Sequence, residues 1–303
     1  MANILITGGT GLIGKILTQC LLEKGHDVAI LSRFPKSLKL VQHYHWDTSR
    51  RIIDVDALKS SDYIIHLAGA NIADKRWTQR RKRDILESRV KSTEFLFEMI
   101  REHYPNLKGL ISASAIGIYG AINSDKILNE NDAHCDDYLG NVCYSWENAV
   151  DKFQTIGIRT VTFRTGVVLT KSGGALSKMI GSLKFGVGII LGTGRQYLPW
   201  IHVDDLCELY KKAIEDCEMS GTYNAVSPEH ITYEKFVEQA IGISNKRIFR
   251  IRIPSIILKI ALGQMSEMLL KGSRVSPEKL VKSGFNFKYP TLAKALKDLL
   301  IEQ

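Results

Sequence analysis

Three glycines near the start of the chain have the spacing needed to bind a phosphate group. The segment GGTGLIG places Gly8, Gly11 and Gly14 after the apolar run NILIT and before LIGKILTQCLLEKG, which has helical spacing and ends at Gly25. A tight turn requires positive φ, the pyrophosphate requires a close backbone, and the helix must pack on its strand. The helix N-terminus would then present unpaired N–H groups to the phosphates. We therefore predict a dinucleotide-binding turn, with a purely structural loop as the alternative.

The end of the next apolar segment bears on which dinucleotide binds. The segment DVAILSR ends in Ser32 and Arg33, and no Asp or Glu occurs between Asp27 and Asp47. An NAD site usually has a carboxylate about 20 residues after the turn, whereas the extra phosphate of NADP requires a cation. Arg33 can bind that phosphate with its fork of N–H donors while the Ser32 hydroxyl donates to it. The sequence predicts NADP(H), and the alternative is that Arg33 is an ordinary surface residue.

A possible metal site lies between these segments and the rest of the chain. His43, His45 and Asp47 alternate in HYHWD, so they would share one face of a strand. A third strong ligand group is lacking nearby, and strand alternation makes such coincidences common. We expect no metal site.

Strand-like runs alternate with helical stretches along the chain, which is typical of an α/β protein. The later runs are Asp62 to Ala70, Leu107 to Ser114 and Arg159 to Leu169. We predict a Rossmann-like doubly wound parallel sheet formed by residues 1–170 and about 201–226. A smaller C-terminal α+β lobe would contain residues 171–200 and 227–303, with helices signalled by Pro254, Ser276-Pro277 and Thr291. The ligand cleft should lie at the carboxyl ends of the strands, between the lobes.

The composition limits the class of protein. The chain has 303 residues, 45% of them hydrophobic and 24% charged, which excludes a disordered or fibrous protein. The start MANILITGG fits neither a signal peptide nor a membrane anchor. The run Ile256 to Leu262 is short and contains Lys259, so we expect a packed helix. Five cysteines without a CxxC pair argue against a disulfide framework and favour a cytoplasmic location.

The formal net charge of +9 suggests an anionic partner. Much of the excess lies in residues 74–91, where the apolar side chains recur near helical spacing. These are Ile85, Leu86, Val90, Leu96 and Ile100. A solvated helix face is favoured over a nucleic-acid surface, because no nucleic-acid motif or aromatic platform accompanies the charges. An anionic small molecule would be sufficient as a partner.

Several motifs occur in an order that indicates a family. GGTGLIG, HLAG, the IYG of SASAIGIYG and WIHVDDL follow one another, and with them the chain resembles an extended short-chain dehydrogenase/reductase. The segments LAGANIADKRW, SRVKST, RTGVVLTKSGGAL and SRVSPEKLVKSGFNFKYPTLAKAL are similar to the atypical YfcH-type proteins of this superfamily. That family is NAD-dependent epimerase/dehydratase-like and has a C-terminal domain of unknown function. The resemblance extends from the first strand to about residue 300.

The resemblance implies a cofactor lining drawn from the glycine turn, the end of the second strand, the HLAG segment, the SRV helix and the sixth strand. Its members are Gly8, Thr10, Gly11, Leu12, Ile13, Gly14, Ser32, Arg33, Leu67, Ala68, Gly69, Asp84, Arg89 and Val168. Arg89 also has a physical argument, because it is a basic residue near the carboxyl edge of the sheet.

The proton donor of the wider superfamily is missing. There, a Tyr and a Lys four residues later share a helix face, and the ammonium lowers the pKa of the phenol. Here Cys143 and Glu147 occupy those two positions. Tyr104 and Lys108 form the only Tyr-x-x-x-Lys in the sequence, and Pro105 between them argues against a shared helix. Tyr144 is one residue away, which rotates it by about 100° on a helix.

Four residues remain as candidates near the nicotinamide. Ala115 occupies the usual hydroxyl position with Ser114 beside it, and Tyr119, Cys143 and Glu147 complete the set. A carboxyl group could act as a general acid if burial raised its pKa, and a thiol could donate a proton weakly. The alternatives are packing for Tyr119, a small buried hydrophobe for Cys143 and a solvated helix residue for Glu147.

The substrate is less well indicated. Nucleotide-sugar epimerases carry a diphosphate-binding arginine shortly before their WIHVDD equivalent, where this chain has Leu198, and its nearest arginine is Arg195. Asp204 and Asp205 open a helix as caps, and His202 is expected to be structural. We predict an NADP(H)-dependent oxidoreductase or epimerase-like enzyme for a small, anionic or neutral substrate, as a monomer or homodimer. The alternative is a non-catalytic NADP(H)-binding sensor.

Overall fold

The computed structural model describes residues 1–35, 41–104, 107–244 and 247–301, so Pro105 lies outside the described residues. The strands are β1 (Asn3–Thr7), β2 (Asp27–Ser32), β3 (Gln42–Asp47), β4 (Ile52–Ile53), β5 (Tyr63–His66), β6 (Gly109–Ala115), β7 (Ile127–Leu128), β8 (Arg159–Thr165), β9 (Val167–Leu169), β10 (Val187–Leu191), β11 (Trp200–His202), β12 (Gly221–Ala225), β13 (Phe249–Ile253) and β14 (Arg274–Val275).

The helices alternate with these strands. They are α1 (Leu12–Glu23), α2 (Val55–Lys59), α3 (Gln79–His103), α4 (Tyr138–Asp151), α5 (Gly174–Ile180), α6 (Val203–Glu215), α7 (Tyr233–Ile243), α8 (Ser255–Leu262), α9 (Glu267–Leu270), α10 (Glu278–Lys282) and α11 (Leu292–Leu300). Short 3-10 helices lie at Ile116–Tyr119, Lys152–Ile156, Gly181–Phe185 and Gly263–Ser266.

The large sheet has the order β12-β8-β6-β5-β1-β2-β3-β4 and is parallel except for the β3–β4 pair. Thr7 is in register with Leu31 on one side and with His66 on the other. The chain therefore turns from one side of β1 to the other, and the crevice expected at such a switch point lies beside the glycine turn. This arrangement confirms the predicted Rossmann-like doubly wound α/β fold.

Helices cover both faces of the sheet. On one face, Leu17 and Leu21 of α1 pack with Leu206 and Tyr210 of α6. On the other face, a second core combines α2, α3 and α4, and Phe95 is one of its buried members. These two cores hold the strands between them, so the carboxyl ends of β1, β5, β6 and β8 are fixed relative to one another.

The predicted strand from Arg159 to Leu169 is wrong as a single element. β8 ends at Thr165, and Gly166 turns the chain so that β9 leaves the large sheet and pairs with β11. Gly166 lies so close to the neighbouring loop that a Cβ there would be 2.8 Å from the Pro199 carbonyl oxygen. Its own N–H donates to the Ala225 carbonyl of β12. The glycine therefore allows the chain to leave one sheet for another.

A separate core lies in the C-terminal part of the chain. It is built around Leu176, Trp200, Phe236 and Leu296, and β10 pairs with β13 beside it. β12, in contrast, joins the large sheet by pairing with β8. We keep the predicted division into residues 1–170 with about 201–226 and a lobe of 171–200 and 227–303 as a proposal, which these cores support. Residues 245, 246, 302 and 303 of that lobe lie outside the described residues.

Two further expectations concern single helices. The basic segment forms the start of α3, and Ile85, Leu96 and Ile100 are buried beneath it, as the periodicity predicts. The run Ile256 to Leu262 does form α8, but the expected packing is wrong, because Ile256 and Ile260 are 61% and 72% exposed. None of the helices in the described ranges is long and apolar enough to cross a membrane.

Candidate active site

A cleft of about 610 Å³ opens at the carboxyl edge of the large sheet. Its walls are the glycine turn, the ends of β5, β6 and β8, the start of α4 and two loops of the C-terminal half. The residues predicted from sequence that line it are Gly8, Gly11, Leu12, Ile13, Gly14, Leu67, Gly69, Arg89, Ser114, Tyr119 and Cys143. The cleft thus brings the glycine turn and three of the four candidate proton-handling residues to one cavity.

The glycine turn is packed too tightly for any side chain at two of its positions. Gly8 has φ of +72°, and a Cβ there would lie 2.9 Å from the Leu67 carbonyl carbon. A Cβ on Gly14 would lie 2.4 Å from the Gly8 carbonyl oxygen. Gly11 donates its N–H to that same oxygen and is the N-cap of α1. The first N–H groups of α1 therefore point into the cleft free of side-chain caps, which suits a phosphate group.

Ser32 and Arg33 lie beside this turn but outside the cleft lining. β2 ends at Ser32, which is buried, and Arg33 follows it at the exposed edge. The pairing of Thr7 with Leu31 sets Ser32 beside Gly8. The Ser32 hydroxyl accepts the N–H of Phe34 at 3.2 Å, which fixes the backbone after Arg33. The structure therefore shows Arg33 as an exposed cation directly after β2.

A buried histidine connects the glycine turn to the opposite wall. His66 Nδ1 lies 2.7 Å from Thr7 Oγ1, and His66 Nε2 lies 3.0 Å from Thr93 Oγ1. Burial lowers the pKa of His66 to about 4, so the ring is neutral near pH 7. Thr7 Oγ1 also accepts the N–H of Ala68 at 3.2 Å. His66 therefore fixes the loop that lines the cleft after β5.

Arg89 reaches the cleft from α3. Its guanidinium donates to the Ala70 and Ile85 carbonyls at 3.1 and 3.0 Å and lies 5.2 Å from the centre of the Trp146 ring. Burial lowers the pKa of Arg89. A Cβ on Gly69 would meet this guanidinium at 3.1 Å, so the glycine makes room for it. Arg89 is therefore a cation in the cleft lining, next to the loop that follows β5.

The remaining predicted cofactor residues lie outside the cleft lining. Thr10 is exposed within the glycine turn, and Ala68 points away while its N–H bonds to Thr7. Asp84 is exposed on α3, directly before the buried Ile85. Val168 pairs with Ile201 in the β9–β11 sheet, because the chain leaves the large sheet at Gly166.

Helix α4 carries Cys143 and Glu147 on its buried face. Asp137 is its N-cap and accepts the N–H of Gly140 at 2.8 Å, while its second oxygen accepts the N–H of Ala121 at 2.7 Å. The cap thus ties α4 to the loop that follows the IYG segment. Tyr144 is 45% exposed and stacks on His134, so it points away from the cleft as predicted.

Glu147 forms the centre of a buried polar network. Its carboxylate receives the Ser114 hydroxyl at 2.6 Å and two N–H donors of Arg164, Nε at 3.0 Å and Nη2 at 2.8 Å. Both members of this pair are 8% exposed. Glu147 does not line the cleft and lies directly behind Ser114. In these contacts Glu147 accepts hydrogen bonds and has a charge partner, and its burial contradicts the alternative of a solvated helix residue. Its role as a general acid stays a prediction.

Tyr119 joins the same network through its hydroxyl. The phenol donates to Asn224 Oδ1 at 2.7 Å and accepts from Arg164 Nη1 at 3.1 Å. Burial raises the pKa of Tyr119 to about 12, although Arg164 opposes that shift. The phenol is therefore protonated near pH 7, and its proton is already donated to Asn224.

Cys143 is a buried thiol on the cleft lining. Burial raises the pKa of Cys143 to about 12, with the nearby Glu147 charge adding to the effect. The thiol is therefore protonated near pH 7. It lies against Gly117, where a Cβ would be 3.4 Å from the Cys143 sulfur.

Sequence reasoning missed two residues of this network, Arg164 and Asn224. The signal for Arg164 was an arginine inside the otherwise apolar run RTVTFRTGVVL, because a charge in a buried strand requires a partner. Asn224 donates to the Ser276 carbonyl at 3.1 Å and so connects the network to the C-terminal lobe.

The WIHVDD segment is structural. His202 is the N-cap of α6, accepts the N–H of Asp204 at 3.1 Å and stacks on Tyr289. These contacts agree with the prediction that His202 has a structural role. Asp205 is buried and accepts the N–H groups of Lys288 and Tyr289 at 2.7 and 3.0 Å. The expected capping roles of Asp204 and Asp205 are therefore wrong, because His202 is the N-cap and the Asp205 carboxylate fastens the C-terminal segment instead. Leu198 lines the cleft, whereas Arg195 is exposed and does not.

Two family models match this chain. The model of the NAD dependent epimerase/dehydratase family matches residues 4–226, and a domain of unknown function, DUF1731, matches residues 253–299. Epimerase family protein YfhF of Bacillus subtilis is 37% identical over 304 residues, which cover 99% of each chain.

Solved structures agree with these matches. The crystal structure of human epimerase family protein SDR39U1 with NADPH has a TM-score of 0.88 and 30% identity over 98% of each chain. The UDP-glucuronic acid 4-epimerase of Bacillus cereus, solved with NAD, has a TM-score of 0.79 at 18% identity and shows the shared fold alone. The resemblance to the atypical extended short-chain dehydrogenase/reductases is confirmed, and the chain belongs to the NAD dependent epimerase/dehydratase family.

Proposed function

We propose that this protein is an NADP(H)-dependent oxidoreductase or epimerase-like enzyme that acts on a small molecule. The observation that carries the proposal is that one cleft joins the N-terminus of α1, which has no side-chain cap, to Ser114, Tyr119 and Cys143. The human relative solved with NADPH supports the choice of cofactor. When bound, the dinucleotide would supply or accept a hydride at the end of the cleft where these three residues lie.

The cofactor would be held by the backbone and two arginines. The N–H groups of Leu12, Ile13 and Gly14 would bind the pyrophosphate, because no side chain caps them and the turn before them is held close by Gly8 and Gly14. Arg33 would bind the 2′-phosphate at the end of β2, and Arg89 would add a second cation in the cleft lining.

The proton would be handled without the Tyr and Lys pair. Ser114 and Cys143 line the cleft near the reacting end, and we propose them as the groups that contact the substrate oxygen. The Cys143 thiol is protonated near pH 7, and the Ser114 hydroxyl would turn from Glu147 toward the substrate. The Glu147–Arg164 pair is a positioning device, because it fixes the Ser114 hydroxyl and the Tyr119 phenol from behind. Tyr119 keeps a catalytic assignment only if a substrate displaces Asn224 from its hydroxyl.

The cofactor preference is tested by calorimetry with NADPH and NADH side by side. We expect NADPH to bind at least tenfold more tightly, and Arg33→Gln to remove most of that difference because it deletes the cation. Lys59→Gln, an exposed lysine at the end of α2, is the matched control and should change neither constant. Equal affinities for the two cofactors in the unaltered protein would contradict the NADP(H) assignment.

Turnover is tested separately. NADPH oxidation is followed by its absorbance while a panel of carbonyl compounds is added, and Cys143→Ala, Ser114→Ala and Tyr119→Phe are compared. Activity that is indifferent to all three changes would remove the named residues. Tight NADPH binding without turnover of any compound would favour the non-catalytic sensor over the enzyme.

We further propose a reducing, cytoplasmic location. Cys20, Cys135, Cys143, Cys207 and Cys217 are all free thiols. A reducing compartment would keep them so.

A further inference from the structure

The far end of the cleft is built almost entirely from apolar side chains and glycine. Beyond Ser114 its walls are the 3-10 helix after β6, the first turn of α4, the loop before β11, α9 and β14. Their apolar lining members are Ile116, Leu139, Leu198, Pro199, Met268 and Val275. Gly272 closes this wall tightly, since a Cβ there would lie 2.1 Å from the Tyr197 carbonyl oxygen. A site for a sugar ring needs several polar side chains that are free to bind hydroxyl groups.

The hydroxyl groups at this end are already used within the protein. The Ser114 hydroxyl donates to Glu147, and the Tyr119 hydroxyl donates to Asn224. The Ser273 hydroxyl donates to the Ile122 carbonyl at 2.9 Å. The Tyr197 hydroxyl donates to Asp125 at 3.3 Å. A ligand rich in hydroxyl groups would therefore leave much of its own hydrogen-bonding capacity unsatisfied here, which is costly in a desolvated site.

The charged residues that line the cleft all have the same sign. Among the described residues that line the cleft, none is an Asp or Glu, and the cations are Arg89 beside the cofactor turn and Lys271 at the far end. Lys271 is bonded to Glu267 at 3.3 Å, and both side chains are about two-fifths exposed, so the pair sits at the rim. An exposed pair of this kind is weak and exchanges readily for another anion.

We infer that the substrate is a hydrophobic carbonyl compound that carries a single carboxylate, and that Lys271 binds this carboxylate at the rim. This inference rests on the proposed function. The apolar walls would bury the body of the molecule, and the carbonyl would lie toward Ser114 and Cys143. A nucleotide sugar fits poorly, because Leu198 stands on the wall and a diphosphate would meet a single exposed lysine.

The inference is tested by calorimetry with three probes: para-formylbenzoate, its methyl ester and UDP-glucuronate. Each is titrated into the full chain, once alone and once saturated with NADPH or its oxidised form. We expect para-formylbenzoate to bind about threefold to tenfold more tightly than the ester, a preference that is lost in Lys271→Met. Glu267→Gln, which frees Lys271, should strengthen binding of the acid and leave the ester unchanged.

The chain offers a close control for the lysine change. Lys282 is bonded to Glu278 four residues earlier, as Lys271 is to Glu267, but it does not line the cleft. Lys282→Met should keep the full preference for the acid. Equal binding of acid and ester to the unaltered protein, or tighter binding of UDP-glucuronate than of para-formylbenzoate, would overturn the inference.

The same titrations separate this inference from the function on which it depends. If NADPH does not bind but para-formylbenzoate still binds more tightly than its ester, the proposed function is contradicted and the inferred substrate class is supported. If NADPH binds but the acid and the ester bind equally, the inferred substrate class is contradicted and the NADP(H) assignment is supported.

Discussion

The Glu147 and Arg164 side chains lie in the packed interior at the carboxyl edge of the sheet, where an isolated charge is very costly. The strand β8 supplies the guanidinium and the helix α4 supplies the carboxylate, so each charge depends on the element that carries the other. Such a pair adds little net stability compared with apolar residues. Loss of one partner, however, strongly destabilises the protein, because the other charge stays buried without compensation.

We therefore predict that Arg164→Met lowers the free energy of unfolding by about 3–5 kcal/mol, because it leaves the Glu147 carboxylate buried without a charge partner. The double variant Glu147→Leu with Arg164→Met should recover a large part of that loss. Urea unfolding of the single and double variants gives the coupling energy. The exposed pair of Arg250 and Glu238 is the control and should contribute less than about 1 kcal/mol.

A second residue-scale prediction concerns the pH dependence of stability. The pKa of His66 falls from 6.5 in the unfolded chain to about 4 in the folded protein because the ring is buried. Below pH 6.5 the unfolded chain binds a proton that the folded protein does not, so stability is full above that pH and declines until about pH 4. The decline amounts to about 3 kcal/mol from this residue.

The measurement is urea unfolding between pH 7 and pH 4 for the unaltered protein and for His66→Gln. The variant should lose stability less steeply over this interval, whatever its stability at pH 7. His45→Gln, on β3 of the same sheet, is the control. Equal slopes for the unaltered protein and His66→Gln would show that His66 does not titrate as described.

At the scale of elements, α1 can approach β1 only because Gly14 has no side chain. We predict that Gly14→Ala lowers the free energy of unfolding and weakens NADPH binding at least tenfold, since the added Cβ collides with the Gly8 carbonyl and displaces the turn. Gly242 is also helical, and no atom lies within 4 Å of a Cβ there. Gly242→Ala should instead stabilise the protein by about 0.5–1 kcal/mol and leave cofactor binding unchanged. Calorimetry and thermal unfolding of the two variants test both expectations.

The elements that sequence could predict are those whose signal is local. The glycine turn, α1 ending before Gly25 and the buried stripe of α3 follow from residues a few positions apart, and the structure has all three. The helices after Pro254, Pro277 and Thr291 likewise begin where the sequence signals lie.

What could not be predicted depends on residues far apart in the chain. Gly166 directs β9 into another sheet because of its contact with Pro199, and nothing near Gly166 in the sequence reports that contact. Arg164 of β8 donates to Glu147 of α4, 17 positions earlier in the sequence. Tyr119 donates to Asn224, which lies 105 positions later. The side chains of the proposed cofactor site were therefore easier to name than the network behind Ser114.

At the scale of the whole molecule, Asp205 fastens the C-terminal segment to the large sheet. We predict that Asp205→Ala lowers the free energy of unfolding by about 2–4 kcal/mol, because it leaves the buried N–H groups of Lys288 and Tyr289 without an acceptor. Asp204→Ala, which removes an exposed contact to the Lys288 ammonium, should cost less than about 1 kcal/mol. Urea unfolding measures both. Faster proteolysis within the last forty or so residues of Asp205→Ala alone would identify the loosened segment.

The far wall of the cleft comes from late in the chain. β14 pairs with β7, and the N–H of Gly272 donates to the Asn123 side chain, so residues near 272 complete a chamber whose other lining residues lie before residue 211. During synthesis on the ribosome, the glycine turn and its sheet neighbours emerge long before this wall exists. The nascent chain can thus acquire a nucleotide pocket early, while a chamber able to select its second ligand forms only when translation is nearly finished.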